Sequence, residues 1–262
     1  MYLHINVFLS DVPGFNQFCI IGLMDYSYPM EKEALQLKIS IVMPVLNEAE
    51  NLRNTLGHLH LSENEELIIV DGGSVDGTVS IAREFTDKVF TAKTGRASVM
   101  NFGAQNAQGD ILLFLHADCI LPDNTFTLIR EVLRNNNIAA GAFALRIDSK
   151  KTVFRIIEIF SNLRAVLTSL IYGDQGMFLR KETFNRLGGF ADIPLMEDIE
   201  ISLRLNKAGK IVFLKQAITV SSRRWVKEGI VYTTLRNWIN AFSYTFLKVS
   251  PEKLVRQYKD VR

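Results

Sequence analysis

Three acids in this chain fall where an apolar run gives way to a turn, the place where a carboxylate can meet a ligand. The clearest case is Leu67-Ile68-Ile69-Val70-Asp71-Gly72-Gly73-Ser74-Val75-Asp76-Gly77-Thr78. Four apolar residues, three of them β-branched, read as a buried strand. The run stops on a carboxylate, two glycines and a serine, and a second carboxylate and third glycine precede a helical pattern over Thr78–Phe85. This puts an acid at the carboxyl end of a strand, beside backbone free to approach a ligand closely, in the crevice where open α/β sheets bind ligands. Taken alone, the segment fits an ordinary strand-turn-helix connection as well. Asp118 closes a second apolar run, Ile111–Leu115, in His116-Ala117-Asp118. An unpaired carboxylate there is expensive unless it meets solvent, a cation or a metal. Glu197-Asp198 opens an amphipathic helix after a loop carrying Pro194, where acids suit either proton transfer or the helix dipole.

The elements that must hold these residues are legible from periodicity. Ile39–Val45 reads as a strand with Pro44 near its end. Asn47 is placed to cap the helix that follows, whose buried stripe is Leu52, Leu56 and Leu59. Lys88–Ala92 is a short strand, Gly95-Arg96 a turn, and Ala97–Ala107 a helix ended by Gly109. This β-α-β-α-β-α-β alternation, closing on Ile111–Leu115, argues an α/β fold with a mostly parallel sheet and helices on both faces. Downstream, helices are expected at Thr125–Arg134 and Val153–Tyr172, strands at Ala139–Ile147, Met177–Arg180 and Lys210–Leu214, and a helical region from residue 223. Val153–Tyr172 is apolar, but Arg155, Glu158 and Arg164 interrupt it, so it reads as a packed surface helix rather than a membrane span.

Composition bounds the class. The chain has 262 residues, 48% of them hydrophobic and 22% charged, as expected of a globular protein with a sizeable core. A net charge of +2 gives no argument for nucleic acid. Cys19 and Cys119 make no metal or redox motif and read as free thiols in a reducing compartment. Residues 1–37 sit apart: they lack a signal-peptide pattern and read as a poorly ordered extension or the product of a start codon assigned too far upstream. Residues 38–225 carry the regular pattern, and 226–262 form a C-terminal helical region.

Six motifs occur in order: Pro44-Val45-Leu46-Asn47-Glu48, Val70 to Thr78, His116-Ala117-Asp118, Gly173-Asp174-Gln175-Gly176, Met196-Glu197-Asp198 and Arg223-Arg224-Trp225. Together they resemble the family 2 nucleotide-sugar glycosyltransferases, over residues 39 to about 225. Gly-Asp-Gln-Gly with Met-Glu-Asp is similar to a bacterial subgroup of that family. The resemblance implies a GT-A fold, a nucleotide-diphosphate sugar donor, an acceptor hydroxyl, inversion, and Mg²⁺ or Mn²⁺ as cofactor.

The resemblance also implies roles. Asp71 would hydrogen-bond the nucleobase, with Pro44, Asn47 and Glu48 beside base and ribose. Asp76 reads as a helix-start acid. Arg96 resembles the family's nucleotide-contacting basic residue and reads equally as a solvated loop charge. Asp118 would hold the metal on the diphosphate, and His116 stands where family members typically carry the first acid of Asp-x-Asp. No histidine follows residue 116, so the metal would rest on Asp118, diphosphate oxygens and water. Asp198 would be the catalytic base and Glu197 a dipole partner near the sugar. Asp174 and Gln175 would line the acceptor and donor-sugar side, or form a tight turn. Arg223, Arg224 and Trp225 resemble the element that stabilises the departing diphosphate; two serines, 221 and 222, replace the usual preceding glutamine, and Trp225 would stack on acceptor or anchor the last helices.

Residues 223–262 carry nine Lys/Arg against three Asp/Glu. Leu235, Trp238, Phe242 and Phe246 lie along one helical stripe, expected to pack mostly on its own domain, and also suited to an anionic membrane surface if the acceptor is lipid-linked. The expected location is cytoplasmic, including the inner face of the plasma membrane. Two other classes fit the chain less well: a non-catalytic nucleotide-sugar-binding module, against which both Asp118 and Asp198 argue, and a dinucleotide oxidoreductase, which needs Gly-x-Gly-x-x-Gly after the first strand. A serine hydrolase fails because Gly73-Ser74-Val75-Asp76-Gly77 lacks Gly-x-Ser-x-Gly.

Overall fold

The computed structural model describes residues 37–92 and 95–255. The extension before residue 37, with Cys19, and the last seven residues lie outside the described residues. The chain begins with β1 (Ile39–Val45), α1 (Ala49–Gly57), β2 (Glu65–Asp71), α2 (Thr78–Ala82), β3 (Val89–Thr91), α3 (Arg96–Asn106) and β4 (Ile111–Phe114). There follow β5 (Cys119–Ile120), α4 (Thr125–Leu133), β6 (Ile138–Asp148), α5 (Thr152–Thr168), a 3-10 turn at Gly173–Gln175, β7 (Phe178–Arg180) and α6 (Lys181–Arg186). The described chain closes with α7 (Glu197–Ala208), β8 (Lys210–Ser221), α8 (Arg223–Glu228), α9 (Ile230–Thr245) and α10 (Pro251–Val255).

One sheet in the order β3-β2-β1-β4-β7-β6-β8-β5 organises the molecule. The first four strands are parallel, and β7 enters antiparallel between β4 and β6. β6 and β8 run parallel with a register shift at Phe143/Ala144, and β5 pairs antiparallel with β8. Both faces of the central strands are apolar, as covered parallel strands require. Ile39, Ile41, Met43 and Val45 pack with Leu52, Leu56, Ile129 and Val132 on one side. Val42, Ile68 and Val70 pack with Met100, Ala104, Ile201 and Leu205 on the other. Gly103 lets α3 lie close on β1, since a Cβ there would stand 2.4 Å from Val42 Cγ1.

Several boundaries differ from expectation for physical reasons. β2 starts two residues earlier than its apolar run because Glu65 and Glu66 are buried and paired. Glu65 meets Arg130, itself 6% exposed. Glu66 meets Lys88 and Ser40 and accepts from Gln108 N at 2.6 Å and Gly109 N at 3.2 Å, tying β1, β2 and the entry to β4 together. α2 ends at Ala82, three residues short of Phe85. β8 runs on to Ser221, where the expected strand stopped at Leu214, because its far half pairs with both β6 and β5. Asn47 does not cap α1; its residue adopts φ 52°, and its side-chain oxygen instead accepts from Val75 N at 2.9 Å.

The largest correction concerns α9. Its buried residues are Thr233, Thr234, Arg236, Asn240 and Ala241, whereas Leu235, Phe242 and Phe246 face outward. The apolar stripe therefore does not pack on its own domain, apart from Trp238, edge-on to Phe160 of α5 at 6.1 Å. Among the described residues no helix is long and apolar enough to cross a membrane.

Glu66 gives this fold a pH dependence. Burial alone would raise its carboxyl, but the bonds from Lys88, Ser40 and Gln108 outweigh that and bring it from 4.5 down to about 2. A depressed folded value stabilises above the unfolded value and loses that contribution as pH falls toward the folded one. Denaturant unfolding from pH 6 to pH 3 is expected to show about 2 kcal/mol more loss in wild type than in Glu66→Gln. Equal losses would remove Glu66 from the account.

Candidate active site

The carboxyl ends of β1, β2 and β4 point toward one edge of the sheet, and the chain supplies polar side chains there in two groups. The first surrounds the β2–α2 turn. Asp71 is 2% exposed and accepts from its own turn, Gly73 N at 2.9 Å and Ser74 N at 3.0 Å on Oδ2. Ser74 Oγ in turn accepts from Asn47 N at 2.8 Å. Asp76 accepts from Thr78 N at 3.0 Å and Ala49 N at 3.3 Å, so it staples the two turns together. Pro44 sits beside Val70 in register. Glu48 is held by Asn51 Nδ2 and by Arg223 Nη2, each at 2.9 Å.

The second group forms a cleft of about 180 Å³, whose walls include Arg96, His116, Asp118, Asp174, Gln175, Glu197, Asp198, Arg224 and Trp225. The 3-10 turn brings Gly173 against the start of α7. Gly173 N donates to Asp198 Oδ2 at 2.7 Å, and Ile199 N donates to Oδ1 at 2.8 Å. A Cβ on Gly173 would lie 3.0 Å from the His116 ring and 3.4 Å from Asp198 Oδ2. The missing side chain is what lets ring and carboxylate converge. α7 is entered through Met196 at φ 70°, ψ 22°, a left-handed conformation that costs a non-glycine residue about 1–3 kcal/mol and that surrounding structure must enforce. Packing of Met196 with Leu170, Ile199 and Leu254 does so.

Four carboxylates share this cleft, Asp118, Asp174, Glu197 and Asp198, and burial moves the last three. Burial, with Asp198 and Asp118 nearby, outweighs Arg164 and pushes Asp174 up to about 6. Burial also raises Asp198 against the pull of the Gly173 N–H, and raises Glu197 against Arg96. Arg96 Nη1 lies 3.5 Å from Glu197 Oε1, so Arg96 lines the cleft and is not a solvated loop charge. Glu197 is 2% exposed and sits inside the wall.

The arginine pair is divided. Arg224 and Trp225 face the cleft, while Arg223 turns to Glu48 at 2.9 Å and Glu50 at 3.9 Å. β5 and β8 position both, because Ser221 N donates to Asp118 O at 3.1 Å and Cys119 pairs with Val220. Trp225 packs edge-on to Phe154 at 5.9 Å and donates to Thr234 Oγ1 at 3.2 Å, anchoring α8 on α5 and α9. Gln175 spends its carboxamide on backbone: Oε1 accepts from Tyr172 N at 3.0 Å, and Nε2 donates to Phe143 O at 3.4 Å.

For a metal, the structure assembles His116, Asp118 and Cys119, with ligand atoms within 4.8 Å of one another. Burial first, then Asp118 and Asp174, push the Cys119 thiol well up, so it stays protonated and is a poor ligand. A carboxylate and an imidazole fit Mn²⁺, and with fewer protein ligands Mg²⁺, provided other oxygens complete the shell. Sequence reasoning missed Arg164, Tyr172, Asn237 and Trp238, which also line the cleft. Arg164 stacks on the Tyr172 ring at 3.6 Å; the available signal was a second cation, after Arg155, inside an apolar helix.

The chain is 27% identical over 235 residues to the poly-beta-1,6-N-acetyl-D-glucosamine synthase of Staphylococcus epidermidis, covering 78% of this chain and 57% of that one. The chain thus spans little more than half the length of that relative. The mannosyltransferase PcManGT of Pyrobaculum calidifontis, solved with GDP-Man and Mn²⁺, superposes with a TM-score of 0.64 at 17% identity, over 85% of this chain and 69% of that one. TarS 1-349 of S. aureus, solved with UDP-GlcNAc, gives a TM-score of 0.57 at 15% identity, over 83% and 69%. These likenesses establish the GT-A-like fold: a mostly parallel sheet flanked by helices with further helices at the C-terminus. The Glycosyl transferase family 2 model matches residues 40–191, more than half of the chain, and the chain belongs to glycosyl transferase family 2.

Proposed function

We propose that this protein transfers a sugar from a nucleoside-diphosphate sugar to an acceptor hydroxyl, with inversion at the anomeric carbon. The observation that carries the reading is Asp198, half-buried at the cleft and held on both oxygens by backbone N–H groups while Asp118, Arg96 and Arg224 line the same walls. A nucleotide sugar presents one feature for each side of such a cleft. The base and ribose would lie over Pro44, Asn47, Glu48 and Asp71. The diphosphate would lie between Asp118 and Arg224, and the sugar toward Asp174, Gln175 and Glu197.

In the transfer step, Asp198 accepts the proton of the acceptor hydroxyl as its oxygen bonds to the anomeric carbon. The bond from that carbon to the diphosphate oxygen breaks, and its electron pair leaves with the nucleoside diphosphate. Burial raises the basicity of Asp198, which favours a general base working near neutral pH. The Gly173 N–H keeps the carboxylate aimed. Asp118 and His116 are the groups that would hold Mg²⁺ or Mn²⁺, which when bound supplies positive charge to the diphosphate. Arg224 adds a guanidinium to the same negative charge as it develops. Arg223 serves indirectly, by fixing to Glu48 the start of α8, which carries Arg224.

A binding module without catalysis would keep the nucleotide site and do without Asp198. The two readings separate on Asp198→Asn, which is expected to lower turnover by ~10²–10⁴-fold with donor affinity unchanged within a few-fold. Near-wild-type turnover would reject the base assignment. In a thermal-shift panel of nucleoside diphosphates, the preferred base with Mn²⁺ at hundredfold excess over Kd should raise Tm by roughly 5–10 °C. EDTA should remove most of that shift; an unchanged shift would place the metal outside the reaction.

A further inference from the structure

α9 is folded inside out relative to an ordinary surface helix. Its polar residues line the cleft, through Thr234 and Asn237, and its apolar residues point away from the protein. Of nineteen exposed large hydrophobic residues among the described residues, fifteen lie on α5 or between residues 226 and 247. Seven belong to α5, including Ile156, Ile159, Phe160 and Leu163. Patches this concentrated on a soluble chain mark a binding surface.

A groove of about 310 Å³ runs between α5 and α9 on this face, walled by Phe160, Leu170, Trp238, Phe242 and Phe246. Phe160 and Trp238 meet across it, and Phe242 lies 5.0 Å from Phe246 along its edge. The groove is not a separate hollow. Arg164, Tyr172 and Trp238 belong to its wall and also to the wall of the cleft that contains Asp198. At this junction the Arg164 guanidinium stacks on Tyr172, with its buried Nε making no hydrogen bond. An occupant of the groove therefore reaches a polar, catalytic space at one end and an open apolar face at the other.

We propose that the groove holds the apolar chain of the acceptor, which is an amphiphile: a hydroxyl-bearing polar head on a linear hydrocarbon chain. This rests on the glycosyl-transfer reading above and names the acceptor class for the same site. A second copy of the protein would cover the outer face without entering the junction. A single chain lying in the groove places its head between Arg164 and Asp198 and runs out past Phe242 and Phe246. Burial of the chain supplies affinity without base or sugar specificity, and the polar inner side of α9 keeps the head hydrated where the hydroxyl must lose its proton.

The test uses the full chain and n-octyl, n-decyl and n-dodecyl β-D-glucoside below their micelle concentrations, titrated calorimetrically. Affinity is expected to rise roughly threefold for each added methylene. The double variant Phe242→Asn/Phe246→Asn should weaken the dodecyl compound at least tenfold, and Thr245→Trp, which fills the groove without removing an apolar residue, should do the same. Ile159→Asn, on the same face outside the groove, should leave it unchanged, and all variants should keep wild-type affinity for a nucleoside diphosphate with Mn²⁺. No dependence on chain length, or equal loss from Ile159→Asn, would overturn the groove assignment while leaving the donor site standing. Failure of wild type to bind any nucleoside diphosphate, with the chain-length dependence intact, would overturn the transfer reading instead.

Discussion

Four carboxylates gathered in one cleft form the constraint on which the rest of this structure depends. Asp118, Asp174 and the adjacent pair Glu197-Asp198 come from three separate stretches of chain, and Asp174 is driven up by burial and by the charges of Asp198 and Asp118. Such a cluster persists only where cations and N–H donors offset the repulsion. Arg96 faces Glu197, Arg164 faces Asp174, and the Gly173 N–H binds Asp198. On the proposed function, a divalent ion carried with a diphosphate would meet the negative charge that remains. The strained Met196, the glycine at 173 and the long β8 are all devices that bring these groups to one place.

Much of that place is legible in the sequence. Asp118 and Asp71 stand out because an apolar run with strand propensity ends on an acid, and the fold follows from four such runs alternating with helical stripes. Asp198 stands out by its place at a helix start, within a motif shared with a known family. What the sequence does not reveal depends on distance or direction. Glu65 is held in the interior by Arg130 together with Ser62, and nothing local announces the Arg130 pairing. Arg223 and Arg224 differ by one position, about 100° around a helix, so one faces Glu48 and the other the cleft. Arg164 reads as an interruption of an apolar helix, whereas the fold makes it the junction of two cavities.

α9 shows the limit most clearly. Periodicity reveals that Leu235, Trp238, Phe242 and Phe246 share a stripe, yet periodicity carries no information on which side the protein lies. Polar residues end up inward because the surface they meet is the cleft, itself polar. The helix thus divides an aqueous reaction space from an apolar exterior. On the proposed function, that division brings together two substrates of opposite character, a charged nucleotide sugar and an acceptor with a hydrocarbon chain.

The most direct test of the central claim is the partition of Mn²⁺ between free and bound forms, read by electron paramagnetic resonance in the presence of the preferred nucleoside diphosphate. Wild-type protein should deplete the free-ion signal, and Asp118→Asn should restore most of it while its fold, read by circular dichroism, is retained. Equal depletion by both proteins would contradict the account, because the carboxylate cluster would then not be what holds the metal and its diphosphate.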